Sequence, residues 1–173
     1  MKTLVIALQK DGKVIAPTFE AIEAAKSIGG DICTTVLAAD AAPLANDLAA
    51  RGGGRVLAVS DPALRFFVDD IYARVISSLM TKYAPELVLC PATFYGKALV
   101  ARLAGMNGGR MASDATAVAS DNGKIIVTRP SHGGSVIARV GAGCGPFFVT
   151  LRPKIYPESK SGAGEVIAET IDS

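Results

Sequence analysis

Residues 86–106, ELVLCPATFYGKALVARLAGM, hold the unit on which the fold turns. Glu86 to Cys90 is almost wholly apolar, as a strand buried on both faces requires. Pro91 opens a loop, after which Leu99, Val100, Leu103 and Met106 recur at helical spacing. A buried strand, a short loop and an amphipathic helix form the repeating unit of a parallel α/β sheet.

Upstream the unit repeats. Val68, Ile71, Tyr72, Val75, Ile76, Leu79, Met80 and Tyr83 step by three and four, predicting an amphipathic helix that Pro85 stops. Thr3 to Gln9, Ile32 to Ala39 and Arg55 to Ser60 read as strands. Between them lie a helix that begins near Pro17-Thr18, with Phe19, Ile22, Ala25 and Ile28 on one face, and another over Ala41 to Arg51. Gly29-Gly30 and Gly52-Gly53-Gly54 end these two helices, because glycine accepts the left-handed backbone used beyond a helix C-terminus.

Downstream the pattern changes. Met111 to Ser120, Lys124 to Arg129, Ser135 to Val140 and Phe147 to Arg152 are strand-like with no helix between them, and Asp121-Asn122-Gly123 signals a tight hairpin. The expected architecture is a three-layer α/β/α sandwich whose mainly parallel sheet carries antiparallel strands at its edge. Residues 1–153 read as one domain. Residues 154–173 read as a linker-like tail, with a short strand over Glu165 to Ile171.

The chain has 173 residues, and 18 Lys plus Arg against 16 Asp plus Glu give a net charge of +2. That balance leaves no electrostatic footprint for nucleic acid. Half of the residues are apolar, yet none of the apolar runs approaches the roughly 18 residues of a membrane span. Met1 to Gln9 reads as a strand rather than a signal peptide, since Lys10, Asp11 and Lys13 follow with no small-residue cleavage site. Cys33, Cys90 and Cys144 are widely spaced without a C-x-x-C pair, which points to a reducing cytoplasm.

Catalytic side chains are sparse. His132, the single histidine, sits among turn residues in Ser131-His132-Gly133-Gly134 and reads as a solvated loop residue. No second ligand for a metal stands near it, and Ser131 is not on a nucleophile elbow. Gly141-Ala142-Gly143-Cys144-Gly145 lacks the following helix that a dinucleotide fingerprint needs. The loop Pro91 to Lys97 is better placed, between a parallel strand and a helix, where ligands meet such sheets. It has neither the first glycine nor the magnesium-binding hydroxyl of a triphosphate loop. Thr93, Gly96 and Lys97 there read either as an anion or adenine cradle or as a capped turn with a solvated lysine.

PATFYGK at 91–97, KALVARLAG after it, Ser113-Asp114-Ala115-Thr116-Ala117, Arg129-Pro130 and Val149-Thr150-Leu151-Arg152-Pro153 together resemble the N-terminal domain of electron transfer flavoprotein alpha subunits. The opening strand, the Asp11-Gly12-Lys13 turn and the helix over 18–26 are similar too. The resemblance implies an adenine nucleotide alpha hydrolase-like fold without hydrolase activity, and electron carriage in a heterodimer with a beta subunit. It places FAD chiefly in a second, C-terminal domain. Hence this chain is expected to hold no FAD alone and to act, without enzymatic activity of its own, as a base for a beta subunit or a separately encoded FAD domain. The alternative expectation is a stand-alone binder or sensor of AMP or ATP. Ser131 to Gly134 replaces the family's Tyr-Ala-Gly-Asn, which puts the contacts of the edge strands in question. An unpaired edge strand would also permit homo-oligomers.

Overall fold

The computed structural model describes residues 1–143 and 145–170. Cys144 and the Ile171 end of the last expected strand lie outside the described residues. Strand β1 (Lys2–Ile6) leads into a small hairpin, β2 (Gln9–Lys10) and β3 (Lys13–Val14), followed by α1 (Ala16–Ile28) and β4 (Asp31–Ala38). Then come α2 (Ala42–Ala50), β5 (Arg55–Ser60), α3 (Asp69–Tyr83), β6 (Leu87–Pro91) and α4 (Phe94–Met106). The rest is strand: β7 (Arg110–Ala115), β8 (Ala117–Asp121), β9 (Lys124–Ser131), β10 (Val136–Gly141), β11 (Phe147–Leu151) and β12 (Glu165–Glu169).

Seven strands form one sheet in the order β12-β5-β4-β1-β6-β11-β7. Every pairing in it is parallel. Side chains alternate between two cores, as the two-residue period of a strand demands. Val5, Val36, Leu87, Leu89 and Val149 meet α1 and α2 on one face. Leu4, Ile6, Leu37, Val88 and Phe148 meet α3 and α4 on the other. This is the expected α/β fold with helices on both faces.

The antiparallel strands are placed differently from the reading of the sequence. They do not extend the main sheet but form a three-stranded sheet of their own, in the order β10-β9-β8. Its inward residues Val118, Ile125 and Val127 join the core beneath α1 and α2. The reason is burial. Strand β11, FFVTL, is buried at all five positions and takes a place inside the sheet, whereas β10 alternates between exposed and half-buried. Strands with one wet face belong in antiparallel sheets. The hairpin expected at Asn122-Gly123 joins β8 to β9, with φ of 49° and 77° at its two central residues, the left-handed pair a two-residue turn requires.

After β11 the chain runs back over α1 and α2 before β12 pairs in parallel with β5. Buried Ser159 fastens this strap. Its hydroxyl donates to the Arg51 carbonyl at 2.5 Å and accepts from Lys26 Nζ at 2.6 Å. Its amide donates to the Phe19 carbonyl, and its own carbonyl accepts from Arg51 Nε at 3.0 Å.

Candidate functional site

From β1 the chain winds outward through β4 and β5, then returns to place β6 on the opposite side of β1. Strand order reverses there, and such a reversal leaves a crevice at the carboxyl ends of the two strands, because the loops after them diverge. Here the crevice has a volume of about 500 Å³. Ala7, Leu8 and Lys10 follow β1, Thr93 to Tyr95 follow β6, and Phe67 and Tyr72 close it from the α3 side.

Its walls are aromatic. The Phe67 ring lies 4.9 Å from that of Tyr72 and 4.8 Å from that of Tyr95, both tilted. Phe94 stands edge-on to Tyr95 at 5.9 Å and is 86% exposed. The Tyr72 hydroxyl is 3.0 Å from the Leu64 carbonyl and 3.2 Å from that of Leu37. Burial raises its pKa above the ordinary tyrosine value, so it stays a neutral donor.

The three residues expected at this loop are divided by the fold. Thr93 lines the crevice and caps α4, its hydroxyl accepting from the Gly96 N–H at 3.0 Å. Gly96 is buried behind the first turn, where a Cβ would run into the Pro91 carbonyl oxygen. Lys97 is exposed and contributes to the positive field on Asp114 rather than lining the crevice. Lys10 of the β2–β3 hairpin, Phe67 before α3, Tyr72 of α3, and Phe94 and Tyr95 in the first turn of α4 also line the crevice, and the sequence reading assigned none of them to a site. Phe66-Phe67, two aromatics in a loop after a strand, was the signal available.

A second polar cluster lies at the end of β7 and β11. Asp114 has a φ of 59°, at a point where the pairing of β7 with β11 shifts register. The Thr150 hydroxyl accepts from its amide at 2.9 Å. Arg152 grips its carboxylate with two bonds of 3.2 and 2.6 Å. Those bonds hold the Asp114 carboxyl below the usual carboxylate range against the opposing effect of burial, aided by Lys97 and Arg129. Arg129 in turn donates to the carbonyl and hydroxyl of Ser113.

Other reactive groups lie apart from both clusters. Burial pushes the Cys33 thiol up to about 11 and raises that of Cys90 further, so neither is a thiolate at neutral pH. His132 is exposed, with Nδ1 3.2 Å from the Ser131 hydroxyl. Among the described residues no group of three or more His, Cys, Asp or Glu could hold a metal ion, and no helix is long and apolar enough to cross a membrane. In doubly wound sheets the turn after the first strand brings glycines against a dinucleotide's pyrophosphate. Here that turn is the β2–β3 hairpin.

A seven-stranded parallel sheet with helices on both faces and an aromatic crevice at its switch point defines a doubly wound α/β domain. The family model of the electron transfer flavoprotein domain matches residues 3–173. The chain belongs to that family and is alpha-subunit-like. It is 30% identical to the electron transfer flavoprotein subunit alpha of Bacillus subtilis (strain 168), over 99% of this chain and 54% of that protein. With the same subunit of Megasphaera elsdenii it shares 32% identity, over 94% of this chain and 51% of that one. The acryloyl-CoA reductase electron transfer subunit beta of Anaerotignum propionicum is 24% identical, over 88% of this chain and 49% of that one. The chain spans about half the length of these curated relatives.

Proposed function

We propose that this domain is the flavin-free base of an electron transfer flavoprotein assembly, an electron-transfer component rather than an enzyme, that docks a beta subunit and serves a separately folded FAD domain. The supporting observation is the free edge of the antiparallel sheet. Its two outer strands are treated unequally. At β8 the Tyr156 hydroxyl accepts from the Val118 amide at 2.9 Å and donates to its carbonyl at 3.4 Å. At β10, paired only with β9, no such cover is found among the described residues, and Ile137 is 63% exposed. An uncovered edge with apolar side chains offers main-chain bonds and a hydrophobic grip to a partner strand.

The residues do not fit FAD. The turn after β1 is the β2–β3 hairpin rather than a glycine turn leading into a helix N-terminus, so the backbone cradle that a dinucleotide's pyrophosphate takes in doubly wound sheets is missing there. A reducing, cytoplasmic setting accords with the free, buried Cys33 and Cys90. Co-expression with an electron transfer flavoprotein beta subunit tests the reading. The expected result is a stable complex that Ile137→Lys weakens at least tenfold without lowering the melting temperature of this chain. Failure to associate, with or without an FAD domain present, rejects it. Purification of the chain alone with excess FAD is expected to leave no flavin absorbance.

A further inference from the structure

We propose that a cationic ridge at the carboxyl ends of β6, β11 and β7 docks an acidic segment of a partner protein, whose carboxylates meet Lys97, Arg152 and Arg129. The three side chains come from different places. Lys97 lies in the first turn of α4, Arg152 directly after β11, and Arg129 on β9. They gather around Asp114 near the end of β7. Arg152 is bonded to its carboxylate at 3.2 and 2.6 Å, and Lys97 and Arg129 act on the same group. Among the described residues, Arg152 is the only one of the three in an ion pair. Two residues further on, exposed Lys154 adds positive charge, while its amide donates to the carboxylate of buried Glu20 at 2.6 Å. Positive charge therefore outweighs negative along the ridge.

Asp114 orders the ridge without neutralising it. Arg152 gives it Nε and Nη2, and Arg129 gives the same two nitrogens to the carbonyl and hydroxyl of Ser113. A guanidinium carries five N–H donors, so Nη1 of each remains for a partner's carboxylate. Holding both guanidinium groups in place beforehand lowers the entropy cost of docking. The backbone contributes too. Asp114 takes a φ of 59° where the β7–β11 pairing shifts register, and irregularities of this kind re-aim side chains.

Shape selects the occupant. A small ligand needs a concave cleft that covers most of its surface, and none of Lys97, Arg129 and Arg152 lines the neighbouring crevice. A single-stranded nucleic acid needs aromatic platforms for its bases, and these residues supply none. An open array of ordered charges, with Lys97 exposed and both arginines half-buried, instead complements charge on another protein.

Fluorescence anisotropy on the full chain tests this with a labelled glutamate-rich peptide and its glutamine counterpart, with oligodeoxythymidylate and inorganic phosphate as competitors. The glutamate peptide should bind with a Kd below about 1 mM in dilute buffer, weakening as salt rises past about 0.1 M. The glutamine peptide should give no change. Lys97→Glu should weaken the glutamate peptide about tenfold. Lys124→Glu makes the same change in net charge at the other end of β9, and should leave Kd within about twofold. Both positions are exposed, so an unchanged melting temperature will separate lost binding from lost structure. No binding at millimolar peptide, equal weakening by the two variants, or a competitor preferred to the peptide would each overturn the proposal. Co-expression with a beta subunit reads the β10 edge and the peptide reads this ridge, so failure of either is distinguishable from failure of the other.

Discussion

At Gly96 a single hydrogen atom decides whether α4 can lie against the end of β6. A methyl group would meet the Pro91 carbonyl, with Cys90 Sγ and Leu8 next to it. Gly96→Ala is therefore expected to cost about 1–3 kcal/mol through overpacking, despite alanine's better helix propensity, as read by urea unfolding. Three residues earlier, Thr93→Ala removes the cap on the Gly96 amide and should cost about 1 kcal/mol. Asp114 makes a prediction about acid. Its folded pKa lies below the ordinary value of 3.8 because Arg152 binds the charged form. Its contribution is thus complete above the unfolded value and disappears as pH falls through the folded one. Asp114→Asn should be less stable than the native chain at pH near 7, and the two should converge as the solution is acidified below pH of about 4. A gap that persists in strong acid would mean that the ion pair with Arg152 does not set the difference.

Helices and parallel strands were legible in the sequence because each is specified locally. The apolar runs of β1, β4, β5 and β6 and the helical stripes of α3 and α4 depend on nothing distant. Pairing was not legible. The stretch Met111 to Ser120 reads as one strand, yet Asp114 turns left-handed and Thr116 separates β7 from β8. Nor does composition reveal that β11 inserts between β6 and β7, a choice made by burial on both faces. The same limit governs the crevice. Thr93 was visible as a cap, whereas Lys10, Phe67 and Tyr95 converge only after the strands have ordered themselves. The strap over residues 154–164 looked like a linker because its hydrogen bonds reach back more than a hundred positions to Lys26 and Arg51. Ser159→Ala deletes the bonds to Lys26 and to the Arg51 carbonyl. It is expected to speed hydrogen exchange across β12 while leaving β1 and β6 unchanged, and equal acceleration everywhere would show that the strap is not a separate cooperative unit.

For the molecule as a whole, the two cores and the central strands give a self-supporting fold, and what remains open is the rim. With Val136 and Ile137 exposed on the outer strand of the small sheet, the isolated chain should self-associate as its concentration rises. Light scattering should show the Ile137→Lys chain staying monomeric under the same conditions, and equal association by both chains would move the contact elsewhere. Successive parallel strands need a crossover of a dozen or more residues. Between β1 and β4, β4 and β5, β5 and β6, and β6 and β7 that journey includes a helix. From β7 to β11, sheet neighbours that also run parallel, it is made by β8, β9 and β10. A helical return saturates its own backbone, whereas a pleated one exports the donors and acceptors of its last strand to the surroundings. Dependence on a companion chain would then reside in one connection, and replacing residues 116–146 with a helical crossover should produce a domain that is complete and solitary.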